Sequence, residues 1–158
     1  MYYTTVRSPL GELLLIASPA GLTGLYPPMH VRLPAPVGTH DDKPFIDAIG
    51  QLEEYFDGRR QRFEVQLDLA GTAFQQRVWT ALRQIPFGQT RTYGELALEL
   101  GQPTASRAVG LANGRNPLSI VLPCHRVVGR SGALTGYAGG LAAKRWLLDH
   151  EARIALAA

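Results

Sequence analysis

The hydrophobic pattern of the chain changes its period at Ala70-Gly71-Thr72, and this change constrains the fold more than any other feature. Before it, apolar residues mostly alternate with polar ones or form short runs bounded by Pro and Gly, as in strands and turns. After it, apolar residues recur every three to four positions, the spacing of amphipathic helices. The pattern predicts two domains, residues 1–70 and residues 73–158.

The first domain is predicted to be a small α/β unit. Alternating or β-branched segments predict strands at residues 2–7, 12–18, 22–26 and 63–69. The first two strands form a hairpin through the turn Ser8-Pro9-Leu10-Gly11. Five prolines in residues 27–44 predict an irregular loop. One apolar face predicts a helix over residues 45–56, with Gly58 as its C-terminal cap.

The second domain is predicted to be mostly helical and to contain a helix-turn-helix. Thr92 and Glu95 form a capping box that opens a short helix ending near Gly101. Thr104 is predicted to cap a second helix that runs to about Asn113. Two short helices joined by a tight turn are typical of DNA-binding proteins, although small residues also occur in packed core helices.

Further elements flank this pair. An apolar stripe predicts a helix over residues 74–85, stopped by Pro86-Phe87-Gly88. A short apolar run at residues 118–122 predicts a buried strand or extended segment, a glycine-rich loop covers residues 129–140, and the last helix covers residues 141–150.

Charge is divided unevenly between the two halves. Residues 1–72 carry six Lys/Arg and nine Asp/Glu, a balance of −3, whereas residues 73–158 carry ten and four, a balance of +6. A basic half attracts phosphate groups, although a well-solvated surface has the same composition.

The composition excludes several classes of protein. The single cysteine, Cys124, excludes an internal disulfide and a thiolate-rich zinc site. His30 and His40 are expected to be plain loop residues, so no metal site is predicted. No apolar run approaches the roughly 20 residues of a membrane helix, and no secretory signal is visible. We therefore expect a soluble, cytoplasmic protein.

Cys124 is followed directly by His125, and this pair is the strongest candidate for chemistry. A thiol with a pKa of about 8.5 is mostly un-ionised at neutral pH unless a base takes its proton. Neighbours in a regular strand face opposite ways, but Pro123 predicts a kink that brings both side chains to one cavity. A carboxylate, Glu151 or Asp149, would orient the imidazole. The alternative is an inert core cysteine.

A nucleophile, a helix-turn-helix and a basic surface therefore share one segment of the chain. A base inside a duplex cannot be attacked until it is rotated out of the stack. A protein that acts on it needs a residue to fill the gap, a pocket for the base and a grip on the backbone.

Eight stretches between residues 74 and 151 occur in this order in one protein family. They are Phe74-Gln-Gln-Arg-Val-Trp79, Ile85-Pro-Phe-Gly88, Tyr93-Gly-Glu-Leu96, Ser106-Arg-Ala-Val-Gly110, Asn116-Pro117, Pro123-Cys-His-Arg-Val127, Thr135-Gly-Tyr-Ala-Gly-Gly140 and Lys144-Arg-Trp-Leu-Leu148. Over this half, the chain resembles the O6-alkylguanine-DNA alkyltransferases (methylated-DNA–protein-cysteine methyltransferases). Residues 1–72 resemble that family only loosely. The resemblance implies a ribonuclease-H-like N-terminal domain and a winged helix-turn-helix C-terminal domain.

The resemblance also implies roles for five catalytic residues. Cys124 corresponds to the alkyl acceptor, His125 to the base that deprotonates it through a water, and Glu151 to the carboxylate that orients His125. Asn116 corresponds to the residue that braces the turn before the acceptor. Tyr93 corresponds to a tyrosine that crowds the 3′ phosphate and protonates N3 of the departing guanine. Transfer would be irreversible, single-turnover and independent of a cofactor.

The resemblance further implies an interface with double-stranded DNA in its minor groove, tolerant of sequence. The residues placed at the DNA are Tyr93, Ala105, Ser106, Arg107, Asn113, Gly114 and Arg115, with Arg107 entering the stack in place of the flipped base. The residues placed around the base pocket are Trp79, Val127, Tyr137 and Ala138. Position 138 is Ser in some relatives, which leaves the substrate range open. We expect a monomer, and cooperative binding along DNA stays open.

Two other functions remain as alternatives. One is a non-catalytic protein or regulator that binds alkylated DNA, and the acceptor pair Cys124-His125 argues against it. The other is a cysteine hydrolase with a Cys-His-Glu triad, which leaves the basic half and the helix-turn-helix without a purpose.

Overall fold

The computed structural model describes residues 1–157, and its first 40 residues form a four-stranded sheet in the order β3-β2-β1-β4. The strands are β1 (Tyr2–Ser8), β2 (Gly11–Ser18), β3 (Gly21–Tyr26) and β4 (Thr39–His40). Strands β1 and β2 pair antiparallel with Ser8 opposite Gly11, which confirms the predicted hairpin. Gly11 has φ +103°, a conformation that side chains disfavour, and this explains the glycine at the end of the turn.

Helix α1 (Ile46–Phe56) packs against this sheet through its buried face of Ala48, Leu52 and Tyr55. The helix follows a short 3₁₀ turn, so it begins one residue later than predicted. Gly58 has φ +80°, and its NH donates to the carbonyl of Tyr55, which confirms it as the residue that ends the helix.

Two predictions for the first half are wrong. Residues 63–69 form no strand, because they pair with β3 only at the isolated bridge between Leu22 and Leu67. Their alternation reflects packing of Phe63 and its neighbours onto the core, not a ladder of backbone hydrogen bonds. The loop over residues 27–44 is not wholly irregular, since it contains β4, which runs parallel to β1. A two-residue strand of exposed polar residues has no hydrophobic pattern to reveal it.

The second half is mostly helical, as predicted. Its helices are α2 (Ala73–Leu82), α3 (Tyr93–Glu99), α4 (Ser106–Gly114) and α5 (Leu141–Ala157). Helices α3 and α4 pack on each other as the two helices of the helix-turn-helix. A two-stranded parallel pair, β5 (Arg91–Thr92) and β6 (Val127–Val128), lies beside α3. Among residues 1–157, none of the helices is long and apolar enough to cross a membrane.

Helix α3 begins with the predicted capping box. The Thr92 hydroxyl accepts from the NH of Glu95 at 3.1 Å, and the Glu95 carboxylate accepts from the NH of Thr92 at 3.0 Å. The predicted cap of α4 is wrong, since the helix begins at Ser106 and Ala105 precedes it with no side-chain cap. Thr104 therefore lies one residue before the N-cap position, and its side chain does not accept from the first NH groups of α4.

Other boundaries in this half also differ from the predictions. Helix α2 ends at Leu82, before the apolar stripe does, and α5 continues to Ala157. Residues 118–122 form a buried turn instead of a strand, with the NH of Leu122 donating to the carbonyl of Leu118. Ile120 adopts φ +75° within this turn, which a run of apolar residues does not predict.

One hydrophobic core runs through both halves. Buried residues of the sheet and α1, such as Leu15 and Leu52, belong to the same cluster as Leu118 and Leu147 of the second half. The molecule is thus a small sheet domain followed by a mostly helical one, in close contact. The boundary near residue 70 stays a prediction from the sequence, because the core does not divide there.

Candidate active site

Cys124, His125 and Arg126 form one turn of 3₁₀ helix directly after Pro123. In such a turn, successive side chains point in directions about 120° apart instead of to opposite faces. The kink predicted at Pro123 is confirmed, because the backbone leaves the extended conformation at Cys124. All three side chains are buried, so they meet the residues that pack around the turn.

The Cys124 thiol lies in a nearly closed environment, with the residue 4% exposed. Burial raises its pKa, because a thiolate is poorly solvated there, whereas Asn116, Tyr137 and Lys144 act in the opposite direction. The Tyr137 hydroxyl has no hydrogen-bond partner among residues 1–157. Its effect on the pKa of Cys124 therefore comes from its position near the sulfur. The sulfur therefore needs a base before it can act as a nucleophile.

His125 is held by Glu151 and keeps one ring nitrogen free. Its Nε2 lies 2.7 Å from Oε2 of Glu151, and both side chains are buried. Its Nδ1 is also buried and has no hydrogen-bond partner within residues 1–157. We assign the proton to Nε2, since the carboxylate can only accept, which leaves the lone pair on Nδ1. Burial lowers the pKa of His125, although Glu151 opposes this, so the ring is a neutral base at physiological pH.

Arg126 and Tyr55 also converge on Glu151. Nε of Arg126 donates to Oε1 at 2.8 Å and Nη2 donates to Oε2 at 3.0 Å, a bidentate pair. The hydroxyl of Tyr55 donates to Oε2 at 2.6 Å. Burial by itself raises the pKa of Glu151, but His125 and Arg126 outweigh it and hold the pKa far below its usual range. The carboxylate is therefore ionised, and it orients the imidazole.

Asn116 braces the turn that carries the cysteine. Its Oδ1 accepts from the NH of Leu118 at 2.9 Å, and its Nδ2 donates to the carbonyl of Leu122 at 2.8 Å. These bonds satisfy part of the buried backbone of residues 118–122, and the carbonyl of Leu25 in β3 accepts from the NH of Ser119.

Lys144 was missed by the sequence reasoning as a site residue. Its side chain is buried, and Nζ donates to the carbonyls of Val127 at 2.7 Å and Thr135 at 3.0 Å. Burial lowers its pKa, and the nearby Cys124 sulfur opposes this. A signal was available, because Lys144 shares a helical face with Leu147 and Glu151 at spacings of three and four residues. A lysine on an apolar face is rarely buried without a purpose.

Most of the residues predicted at the DNA lie on the outer face of α4. The exposed positions there are Ser106, Arg107, Ala108, Leu111 and Arg115, and Ala105 and Gly114 are half-buried. Tyr93 is half-buried at the start of α3, and its ring packs close to Gly110, where a Cβ atom would lie 3.6 Å from it. Leu111 was not predicted, yet it is 70% exposed on this face. The two helices thus present one surface of small, basic and apolar side chains.

Two predicted site residues have other environments. Asn113 is 5% exposed, and its amide donates to the Cys124 carbonyl at 3.3 Å, so it supports the cysteine turn instead of facing DNA. Trp79 is buried between α2 and α4, where its indole NH donates to the Ala112 carbonyl at 2.9 Å. Helical spacing explains both corrections, because these side chains lie on the inner faces of their helices.

The remaining predicted pocket residues follow the cysteine turn in the chain. Val127 and Tyr137 are buried, and Ala138 is half-buried. The carbonyl of Ala138 accepts from the NH of Val31 at 2.8 Å, so the proline-rich loop of the first half holds the glycine-rich loop of the second. Within residues 1–157, no cluster of three or more His, Cys, Asp or Glu side chains is arranged to hold a metal ion.

Comparisons with known proteins cover nearly the whole chain. The family described as 6-O-methylguanine DNA methyltransferase, DNA binding domain, matches residues 73–153, and its ribonuclease-like domain matches residues 1–69. The methylated-DNA–protein-cysteine methyltransferase of Mycobacterium tuberculosis is 51% identical over 154 residues, covering 96% of this chain and 92% of the relative. That of Methanosarcina barkeri is 48% identical over 153 residues, with 96% and 97% covered. The crystal structure of Mycobacterium tuberculosis OGT in complex with DNA is similar with a TM-score of 0.92 at 49% identity, covering 98% of this chain and 94% of that one.

Proposed function

This chain belongs to the 6-O-methylguanine DNA methyltransferase family, and from that premise we propose that it repairs DNA by moving an alkyl group from O6 of guanine to Cys124. One observation in the structure supports this most directly. The residue after the acceptor cysteine carries a buried imidazole that is oriented by Glu151 and has a ring nitrogen without a hydrogen-bond partner in residues 1–157. A nucleophile, a base and an orienting carboxylate are the parts that the reaction needs.

The reaction is a displacement at the alkyl carbon. His125 takes the thiol proton at Nδ1 through one water molecule. The Cys124 sulfur then forms a bond to the alkyl carbon as the bond from that carbon to O6 breaks, and the electron pair moves into the purine. Tyr93 gives a proton to N3, so that the product leaves as neutral guanine. Tyr93 is left as a phenolate and regains a proton from solvent, while the imidazolium of His125 loses one, so each proton and electron pair is accounted for without a metal or a cofactor.

The surroundings of the thiol act on proton transfer in both directions, since the pKa of Cys124 is raised and that of His125 is lowered by burial, while neighbouring charges oppose both shifts. Burial opposes a thiolate, but the ammonium of Lys144 lies near the sulfur and stabilises its negative charge. His125 stays neutral because burial lowers its pKa, so its lone pair is available as a base. The new imidazolium would lie against the ionised Glu151.

The outer face of α4 is proposed as the DNA interface. Arg107 is exposed near the start of this helix, where it could enter the stack after the target base leaves. The small residues around it allow the helix to approach the backbone in a narrow minor groove. Since minor-groove edges carry a degenerate code, binding would tolerate most sequences, and the substrate would be duplex DNA that contains O6-alkylguanine.

Access to the sulfur requires movement of the loop that carries Tyr137. Cys124 is 4% exposed, and Tyr137 is buried beside it. The loop over residues 129–140 contains five glycines and has few buried side chains, so its displacement costs little packing. We propose that this loop shifts to admit an everted guanine, and that Tyr137 and Ala138 then line the base pocket beside Cys124.

Transfer would occur once for each molecule of protein, because a thioether has no hydrolytic route in this site. The proposal extends to a monomeric protein that acts in the cytoplasm, where a lone thiol stays reduced.

Mass spectrometry of the intact protein tests the proposal. After incubation with excess duplex that contains O6-methylguanine, we expect the mass to rise by one methylene and then stay constant, with the added group on Cys124. A Cys124→Ser variant should gain no mass, since its hydroxyl is far less acidic than a thiol. A His125→Ala variant should react more slowly and bind DNA as well as the wild type.

The same measurement separates the alternatives. A protein that binds the alkylated duplex tightly and gains no mass is a damage-binding protein, not a transferase. Continued release of product after one equivalent, or hydrolysis of simple esters, indicates an enzyme that turns over. Either result would contradict the proposed function.

A further inference from the structure

Tyr55 links the first half of the chain directly to the base of the second half. We infer that Tyr55 is a positioning residue for the Glu151–His125 pair and that its hydroxyl sets the pH range in which His125 works as a base. The inference rests on the proposed function, because it concerns the same site. Tyr55 lies outside the half of the chain that carries the eight family stretches.

The Tyr55 hydroxyl and the His125 ring share one oxygen of Glu151. The hydroxyl donates to Oε2 at 2.6 Å, and Nε2 of His125 lies 2.7 Å from the same atom. Arg126 bonds to both oxygens, at 2.8 Å to Oε1 and 3.0 Å to Oε2. The negative charge that Glu151 presents to His125 is therefore divided among several donors, and Tyr55 makes the shortest of these bonds.

Tyr55 is itself held firmly in place. It is fully buried, and its ring lies 5.5 Å from that of Phe63 and 6.1 Å from that of Phe87, measured between centroids. Its carbonyl accepts from Nε2 of His150 at 2.9 Å. One residue of α1 thus bonds to two consecutive residues of α5, His150 and Glu151. The carboxylate cannot rotate without breaking a bond to a fixed partner.

The hydroxyl weakens the pull of Glu151 on the His125 proton. Burial and the adjacent carboxylate raise the pKa of Tyr55 well above its usual value, so it remains a protonated donor. Without the hydroxyl, more of the charge on Oε2 is available to His125, and the imidazolium becomes easier to form. The titratable and charged groups around the pair and Tyr55 are Cys124, Arg126, Tyr137, Lys144 and His150. All of them are unchanged in a Tyr55→Phe variant.

The test compares Tyr55→Phe with the wild type in two measurements over a series of pH values. The first is the single-turnover rate of methyl transfer, whose acid limb should move to higher pH by about 0.5–1 unit. Well below the pKa of His125, this shift lowers the rate roughly 3- to 10-fold, whereas at about pH 8 the rate stays within about threefold. The second is NMR titration of the His125 ring, assigned with a His125→Gln variant, which should shift by the same amount.

Controls separate positioning from a merely structural effect. Tyr3→Phe removes a hydroxyl from β1 and should leave both curves unchanged. Should Tyr55→Phe fail to fold, 3-fluorotyrosine at position 55 keeps the shape of the side chain and is a stronger donor, so both curves should move to lower pH. Affinity for the alkylated duplex should stay within about twofold in every variant, since none of these hydroxyls lies on α4.

Two results would overturn the inference. One is a loss of rate by the same factor at every pH, which indicates general loosening of the site. The other is an unchanged His125 titration in Tyr55→Phe. If the wild-type protein gains no methyl group at all, the proposed function fails, and the NMR titration still decides the role of Tyr55.

Discussion

Replacing Glu151 with glutamine removes the charge on which the buried network converges. The Glu151 side chain is 1% exposed, and Arg126, its buried partner, keeps no other carboxylate within salt-bridge distance among residues 1–157. A glutamine side chain has one acceptor oxygen and an NH₂ group. That NH₂ group meets a donor of Arg126 in either orientation, and in one of them it also meets Tyr55 and His125. One buried donor is therefore left opposite another donor, and the guanidinium loses its counter-charge.

The expected loss of stability is large. Removal of one partner from a buried ion pair costs about 3–5 kcal/mol. For a chain of this size, 1 kcal/mol corresponds to about 2–4 °C, so Glu151→Gln should lower Tm by roughly 6–20 °C. Glu99→Gln is a matched control, since its carboxylate lies 3.1 Å from Arg91 at the surface with its side chain 48% exposed. Loss of such a pair costs at most about 1 kcal/mol.

The pH dependence has a definite sign. His125 and Arg126 hold the pKa of Glu151 far below its usual range in the folded protein, whereas in the unfolded chain the carboxyl titrates near its ordinary value of about 4.3. Its contribution to stability is therefore fully present above about pH 4.3 and is lost as the pH falls toward the folded pKa. Between about pH 4.3 and the folded pKa, the difference in unfolding free energy between wild type and Glu151→Gln should narrow by up to about 1.4 kcal/mol per pH unit.

Urea denaturation monitored by circular dichroism, repeated from neutral pH to about pH 3, measures this difference in unfolding free energy directly. A Tm for Glu151→Gln within about 2 °C of that for Glu99→Gln would refute the assignment of Glu151 as a buried counter-ion. So would a free-energy difference that stays constant on acidification.

Three further changes have distinct expected outcomes. Arg107→Ala should slow repair of duplex substrate more than repair of a single strand, since only the duplex requires base extrusion. Equal slowing in a single-turnover assay would refute the entry of Arg107 into the base stack. Thr92→Ala removes one half of a capping box and should cost about 1 kcal/mol in urea denaturation, whereas Thr104→Ala, which removes no cap, should cost about 0.5 kcal/mol or less. Asn113→Ala should lower Tm and slow methyl transfer, because it removes the amide that donates to the Cys124 carbonyl. The Kd for DNA should stay within about twofold. A large loss of affinity in a DNA-binding assay would show that Asn113 belongs to the DNA interface.

Elements with their own local signals could be predicted from the sequence. The hairpin of β1 and β2 follows from a Ser-Pro-Leu-Gly turn between alternating segments, and α3 follows from the capping box at Thr92 and Glu95. Residues 63–69 and 118–122 could not be predicted, since they lack such signals. Residues 63–69 bond to the carbonyl and NH of Leu22, which is distant in sequence, and residues 118–122 bond to the Asn116 side chain and to the carbonyl of Leu25 in β3.

The same distinction applies to the site. Cys124 and His125 are adjacent in sequence, and Pro123 predicts the turn that brings them together. Tyr55 lies 96 positions from Glu151, so no local pattern could reveal that their side chains meet. Lys144 was open to prediction from its position on the apolar face of α5, but its partners are backbone carbonyls, which carry no sequence signal.

The charges of the buried site explain how a nearly closed cavity can tolerate ionisation of its nucleophile. Before the proton moves, Arg126 and Glu151 cancel each other, and Lys144 carries the one remaining positive charge. When the proton passes from Cys124 to His125, the total charge of the set does not change. Each new charge arises beside an opposite one already in place, the thiolate near Lys144 and the imidazolium against Glu151. Because these partners are fixed before the reaction, little reorganisation is needed at the moment of transfer. Alkylation then consumes the thiolate, which leaves two new charges, the imidazolium of His125 and the phenolate of Tyr93. Loss of a proton from His125 and gain of one by Tyr93 return the site to its starting balance.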